Sequence, residues 1–222
     1  MSKNDYGRLA CGVGTVNPVA RPRNQHARRE ALIEATYAAS RERGLRALSL
    51  TDVAKQAGLT RGAVLYYYDD LDSLLVEAHS AGIARFCDQR DALISATPDP
   101  RQQLDVAITS GLPEGPDDAL MRLLYELDVL AGSSALHEKL VQELDARQVK
   151  TYLGIIAAGR AAKVFTPALS DELVAATLVA LEDGYGLQIV ADRVTTRDAA
   201  ADGMRAVATQ LGCPTSPCEV SS

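Results

Sequence analysis

Residues 49–68, Ser49-Leu-Thr-Asp-Val-Ala-Lys-Gln-Ala-Gly-Leu-Thr-Arg-Gly-Ala-Val-Leu-Tyr-Tyr-Tyr68, read as two short helices joined by a turn at Gly58. Ser49 stands where a hydroxyl caps the opening amides of the first helix, and Asp52, one turn on, reaches back to the cap amide. Leu50, Val53, Ala54 and Ala57 fall at helical spacing, so one face of that helix is buried. Gly58 supplies the left-handed residue that ends a helix without a Cβ penalty, and Thr60 stands where it caps the next one.

Two helices joined through a short glycine turn match the helix-turn-helix, whose second helix enters the major groove amino end first. Arg61 is then the candidate base reader, because its planar fork donates two bonds to the acceptor edge of guanine, worth roughly 1–3 kcal/mol of discrimination. The hydroxyls of Thr51, Thr60 and Tyr67 suit phosphate oxygens, contacts that fix register without reading sequence, and Tyr66 suits either task. Gly62 costs about 0.5–1 kcal/mol in a helix interior relative to alanine, for which close approach of backbone to DNA is a reason. Ser49 and Ala63 complete the candidate DNA-binding set on this segment. Arg28 and Arg29, in the first turns of a helix at about 24–43, are placed for phosphate, while Leu32, Ala35, Thr36 and Ala39 of that helix pack inward. The plain alternative is a helical hairpin whose tyrosines pack as half-buried amphipathic rings.

With the helix before it and Asp70-Leu71-Asp72-Ser73-Leu74-Leu75 opening a long helix after it, the segment resembles the amino-terminal domain of the tetracycline-repressor (TetR) family. The likeness is close over about residues 24–78 and is most specific in Ala57-Gly58-Leu59-Thr60-Arg61-Gly62-Ala63; the rest of the chain is similar in helix pattern. Two departures stand out. Leu65 occupies the place where most members carry a phosphate-touching tyrosine, and Leu71 the place of a lysine at the start of the next helix. Both remove backbone contacts, and the run Tyr66-Tyr67-Tyr68 reads as the local compensation.

Composition agrees with a globular chain of one small and one medium domain: 222 residues, 47% apolar and 23% charged. Apolar stretches are broken by charge within a dozen residues and the start lacks an apolar core segment, so no membrane span or signal peptide is expected and a cytoplasmic location is. The net charge of −6 is unevenly spread. Residues 1–70 hold 11 Lys and Arg against 7 Asp and Glu, a balance of +4, and residues 71–222 hold 12 against 22, a balance of −10. Attraction for phosphate is thus placed where the helix-turn-helix is. Residues 1–23, rich in Gly, Pro, Asn and Arg, read as a flexible arm, either a bare leader or one whose Arg21 and Arg23 reach a minor groove. The expected division is this arm, a DNA-binding domain over 24–70, a second domain over 71–212 and a tail over 213–222.

After residue 70 the pattern is helical throughout, with segments at about 71–95, 101–112, 117–131, 134–163, 170–192 and 196–211 separated by proline and glycine turns. No stretch alternates with period two, so the expected fold is all-α with about nine helices. Over 171–192 apolar residues wrap most of the way round, more than one core contact needs. The resemblance implies that the last two helices form a four-helix bundle with their copies in a homodimer, setting the recognition helices about one DNA turn apart. It also implies an effector cavity between the 117–131, 134–163 and 170–192 helices, for which the candidates are Met121, Leu124, Tyr125, Asp128, Tyr152, Ile156, Leu178, Glu182 and Tyr185. Carboxylates among tyrosines suit a cationic or amine-bearing effector.

Residues for catalysis are not in evidence: His26, His79 and His137 are scattered, and no nucleophile elbow, phosphate loop or zinc-protease spacing occurs. Cys11, Cys87, Cys213 and Cys218 lack metal-ligand spacing and read as free thiols, with Cys213 and Cys218 placed to respond to oxidation. The expectation is a homodimeric repressor, neither an enzyme nor cofactor-dependent, released from a palindromic DNA operator by a small molecule. An effector-independent regulator, or a small-molecule-binding helical protein with a vestigial DNA domain, are the rival readings.

Overall fold

A computed structural model describes residues 20–216 apart from Ser133 and Val194. Nine α-helices occur among the described residues: α1 (Ala20–Arg43), α2 (Leu50–Gln56), α3 (Arg61–Leu65), α4 (Leu71–Ser95), α5 (Pro100–Gly111), α6 (Ala119–Ala131), α7 (Ala135–Ala161), α8 (Asp171–Val190) and α9 (Arg197–Gln210), with a 3₁₀ turn at Leu45–Ala47. The all-α expectation holds. Helix α1 starts at Ala20, so the end of the expected arm is helical; the rest of the arm, with Cys11, and the tail from residue 217, with Cys218, lie outside the described residues.

Local chemistry starts most of these helices. Ser49 and Asp52 exchange the two bonds of a capping box at α2, and Asp70 and Ser73 do so at α4. Thr60, Asp99, Ser170 and Thr196 accept from the first turns of α3, α5, α8 and α9. Gly58 takes φ +64° and ends α2, as its turn requires. Helix α3 is shorter than the sequence pattern, because the chain tightens after Leu65: the amides of Tyr67 and Tyr68 both bond to the Val64 carbonyl, at 2.9 and 3.1 Å.

Leu32, Val53, Val64 and Leu74 are fully buried where α1 to α4 meet, a transfer gain of roughly 1.5–3 kcal/mol apiece. Leu123 and Leu127 of α6 enter the same core, and Glu126 accepts from the Leu45 amide at 2.7 Å. The amino-terminal helices are therefore fastened to the body by α6 as well as by α4. The body core, built from Leu104, Ile108, Tyr152, Ile156, Leu178 and Met204, lies among α5, α7, α8 and α9. Cys213 is fully buried in it and burial raises its thiol pKa, which protects it from oxidation in the folded state.

Helix α8 is by length and composition apolar enough to cross a membrane, a match the sequence reading did not pick out, and 44% of that window is buried in the body. Its exposed side is a stripe of apolar and small residues, Leu173, Ala176, Ala180, Gly184 and Leu187, with Leu173 52% and Leu187 47% exposed.

Candidate functional site

The helix-turn-helix presents Thr51, Thr60, Arg61, Gly62 and Tyr66 to solvent, with Ala63 and Tyr67 half-buried behind them. Arg61 borders a shallow groove with Ser49, Thr51 and Leu65. The Ser49 and Thr60 hydroxyls are occupied as caps, accepting from Asp52 and Ala63 amides at 3.3 and 3.2 Å. A Cβ on Gly62 would touch nothing nearer than the Thr60 hydroxyl at 4.0 Å, so no part of the chain accounts for this glycine and its open side faces outward.

The three tyrosines part company. Tyr66 is 73% exposed and meets Tyr67 edge to face with ring centroids 5.0 Å apart, while Tyr68 is buried in the core. Arg29 stacks over the Tyr68 ring at 5.0 Å, pairs with Glu77 and donates to the Tyr67 carbonyl at 3.2 Å. It is thus a clamp between α1, α4 and the end of α3, in contrast to the phosphate role expected for it. Arg28 is exposed. Leu71 is half-buried against the domain core and Leu65 is 37% exposed.

A cavity of about 250 Å³ opens between α4, α6, α7 and α8. Met121, Leu124, Tyr125 and Asp128 line it from α6, one helical face read through two turns. The Tyr125 hydroxyl seats against Gly186, where a Cβ would come within 1.9 Å of it, so close approach of α6 and α8 requires glycine there. Three carboxylates share the wall: Asp128, Asp145 and Asp183. Burial and then Glu138 raise the pKa of Asp128, and burial followed by Asp128 and Glu138 raises that of Asp145. Asp183 is pushed up to about 7 by burial, then by Glu182 and Asp145. His79 also borders the cavity, held down to about 4 by burial and then by His137.

The other expected cavity residues lie elsewhere. Glu182 takes two bonds from the Arg90 guanidinium (2.9 and 2.6 Å), one from the Gln148 amide (2.9 Å) and one from the Tyr152 hydroxyl (2.7 Å), all within the body. This closed network uses up the carboxylate and the phenol that sequence reasoning offered to a ligand. Ile156 and Leu178 are body core, and Tyr185 packs on that core with its hydroxyl against Gly203 of α9. Sequence reasoning missed Asp145, Asp183, Phe86, His79 and Gln148 on the wall. Asp145 and Gln148 sit one turn apart on α7, a spacing that marked a shared polar face.

Residues 32–78 match the model of the bacterial regulatory proteins, tetR family. Over 51 residues the chain is 43% identical to the HTH-type transcriptional regulator BetI of Yersinia pestis, a match that covers 23% of this chain and only 26% of that relative. In fold it is similar to a TetR transcription regulator from Haloarcula marismortui, at TM-score 0.73 and 24% identity over 84% of this chain and 97% of that one. A transcriptional regulator from Saccharomonospora viridis in complex with choline is similar at TM-score 0.76 and 19% identity, over 83% and 96%. The amino-terminal helix-turn-helix segment is thus similar to that of the tetR family of bacterial regulatory proteins, and the helical fold that continues from it is similar to the folds of these solved regulators.

Proposed function

We propose that this regulator works in the cytoplasm as a homodimeric repressor that leaves a palindromic DNA operator when a small molecule fills the cavity. The observation that carries the reading is the double duty of α6. Its Met121, Leu124, Tyr125 and Asp128 face the cavity, while Leu123 and Leu127 are buried in the core under the helix-turn-helix. A ligand that repositions α6 acts on the seat of the reading helix directly, and α4, which runs through both regions, carries the same shift. To weaken operator binding a hundredfold, the ligand must prefer the released state by about 2.7 kcal/mol. An open cavity favours an effector over constitutive binding, and the choline complex of the Saccharomonospora viridis regulator supports a body of this fold as a small-molecule receptor. The exposed α8 stripe supports a second copy of the chain as partner. Gly184 and Leu187 belong to both stripe and cavity wall, so a partner seated there closes one side of the cavity.

The test is fluorescence anisotropy with the DNA flanking the protein's own gene, at two salt concentrations, with Arg61→Ala beside the wild type. The expected result is tight, salt-dependent binding to a near-palindrome, with Arg61→Ala losing roughly 1–3 kcal/mol of discrimination against altered sites. Weak binding indifferent to sequence and to Arg61 would reject the reading.

A further inference from the structure

The cavity has a chemistry of one sign. Asp128, Asp145 and Asp183 line it, and none of its lining residues is a lysine or arginine. Phe86 and Tyr125 add aromatic surface, which attracts cations. The carboxylates do not converge on a point: among the described residues no three His, Cys, Asp or Glu side chains gather closely enough to hold a metal ion. They ring a space of about 250 Å³. That is smaller than the roughly 300–1,000 Å³ of sites for drug-sized molecules, so the space suits a small organic molecule and not a long chain.

His79 makes the chemistry more specific. It borders the cavity, is fully buried, and its Nε2 has no partner among the described residues. Its Nδ1 lies 3.0 Å from Nδ1 of His137, so one of these two nitrogens donates to the other. Asp72 stands 3.8 Å from Nε2 of His137 and favours a proton there. His137 Nδ1 then accepts, His79 Nδ1 donates, and Nε2 of His79 is left as a lone pair, a tautomer assigned from its partners. A buried acceptor without a donor is a cost that a ligand N–H or O–H removes.

We propose that the effector is a small organic ammonium ion carrying an N–H or O–H group, its charge held among Asp128, Asp145 and Asp183 and its donor given to Nε2 of His79. This rests on the reading of the cavity as the effector site and narrows it. It excludes anionic ligands, which three carboxylates repel, and ranks a protonated amine above its fully alkylated analogue.

Isothermal titration calorimetry on the full chain at mildly alkaline pH tests this with four probes of similar size. Benzyldimethylammonium carries one N–H, benzyltrimethylammonium none, N,N-dimethylbenzamide no charge, and phenylacetate a negative one. The first is expected to bind about tenfold more tightly than the second, as one hydrogen bond to a charged donor predicts. The amide and phenylacetate are expected to give no binding heat in the same range. Asp145→Asn and Asp183→Asn should each weaken both cations about tenfold, and His79→Phe should erase the preference between them while leaving benzyltrimethylammonium bound. Should His79→Phe fail to fold, the wild-type ranking decides alone. Equal binding of the two cations, binding of the amide or phenylacetate as tight as theirs, or no cation binding overturns the proposal. Operator binding, followed by anisotropy on the same preparation, fails separately if the regulator reading is wrong, since the calorimetry contains no DNA.

Discussion

Glu182 and Asp183 are neighbours on α8, yet one carboxylate is spent on Arg90 inside the body and the other faces the cavity without a cation. The pKa of Asp183, raised from 3.8 to about 7, sets the sign of a pH effect. Between those values the folded protein keeps a proton that the unfolded chain has released, so stability falls as pH rises through the window and is level above it. Asp183→Asn removes a charge that costs energy only where it is ionised. It should raise stability by about 1–3 kcal/mol near pH 8 and by almost nothing near pH 4, as urea unfolding at the two pH values reads out. Glu182 behaves oppositely. Its removal strands a fully buried guanidinium together with the Tyr152 hydroxyl and the Gln148 amide. Glu182→Ala should destabilise by about 3–5 kcal/mol, and a joint Arg90→Met, Glu182→Leu change should recover most of that loss.

Whole elements were readable where their signals are local. The caps at Ser49, Thr60 and Asp70 are bonds within one turn, and each helix begins where its cap says. The α6 wall was readable because Met121, Leu124, Tyr125 and Asp128 repeat with the helical period on one face. On α8 that signal is missing: apolar residues surround the helix, so nothing local tells Glu182 from Asp183, about 100° apart. The His79–His137 contact joins residues 58 apart in sequence and exists only once α4 and α7 pack. The same all-round apolarity leaves the α8 stripe of Leu173, Ala176 and Ala180 facing solvent in a single chain. If a second copy covers it, Leu173→Glu, far from the cavity wall, should yield a folded monomer with normal helicity. Light scattering behind a sizing column reads that result, and an unchanged dimer mass would place the interface elsewhere.

At the scale of the molecule, charge and packing divide the chain differently. The positive balance of residues 1–70 and the negative balance of the remainder favour approach of an anionic partner on the helix-turn-helix side and oppose it on the body. Packing does not respect that border, because Leu123 and Leu127 of α6 complete the core of Leu32, Val64 and Leu74, and the Leu45 amide is held by Glu126. The two halves are consequently poor modules for exchange. Grafting a foreign helix-turn-helix domain at residue 70 would set a foreign core on these leucines, so a folded chimera has to carry the inward face of α6 along with that domain. The same tie acts on single substitutions: residues on the outer side of α2 and α3 and on the cavity side of α6 can change independently of one another, whereas a change at one of the leucines between them calls for a matching change in its neighbours.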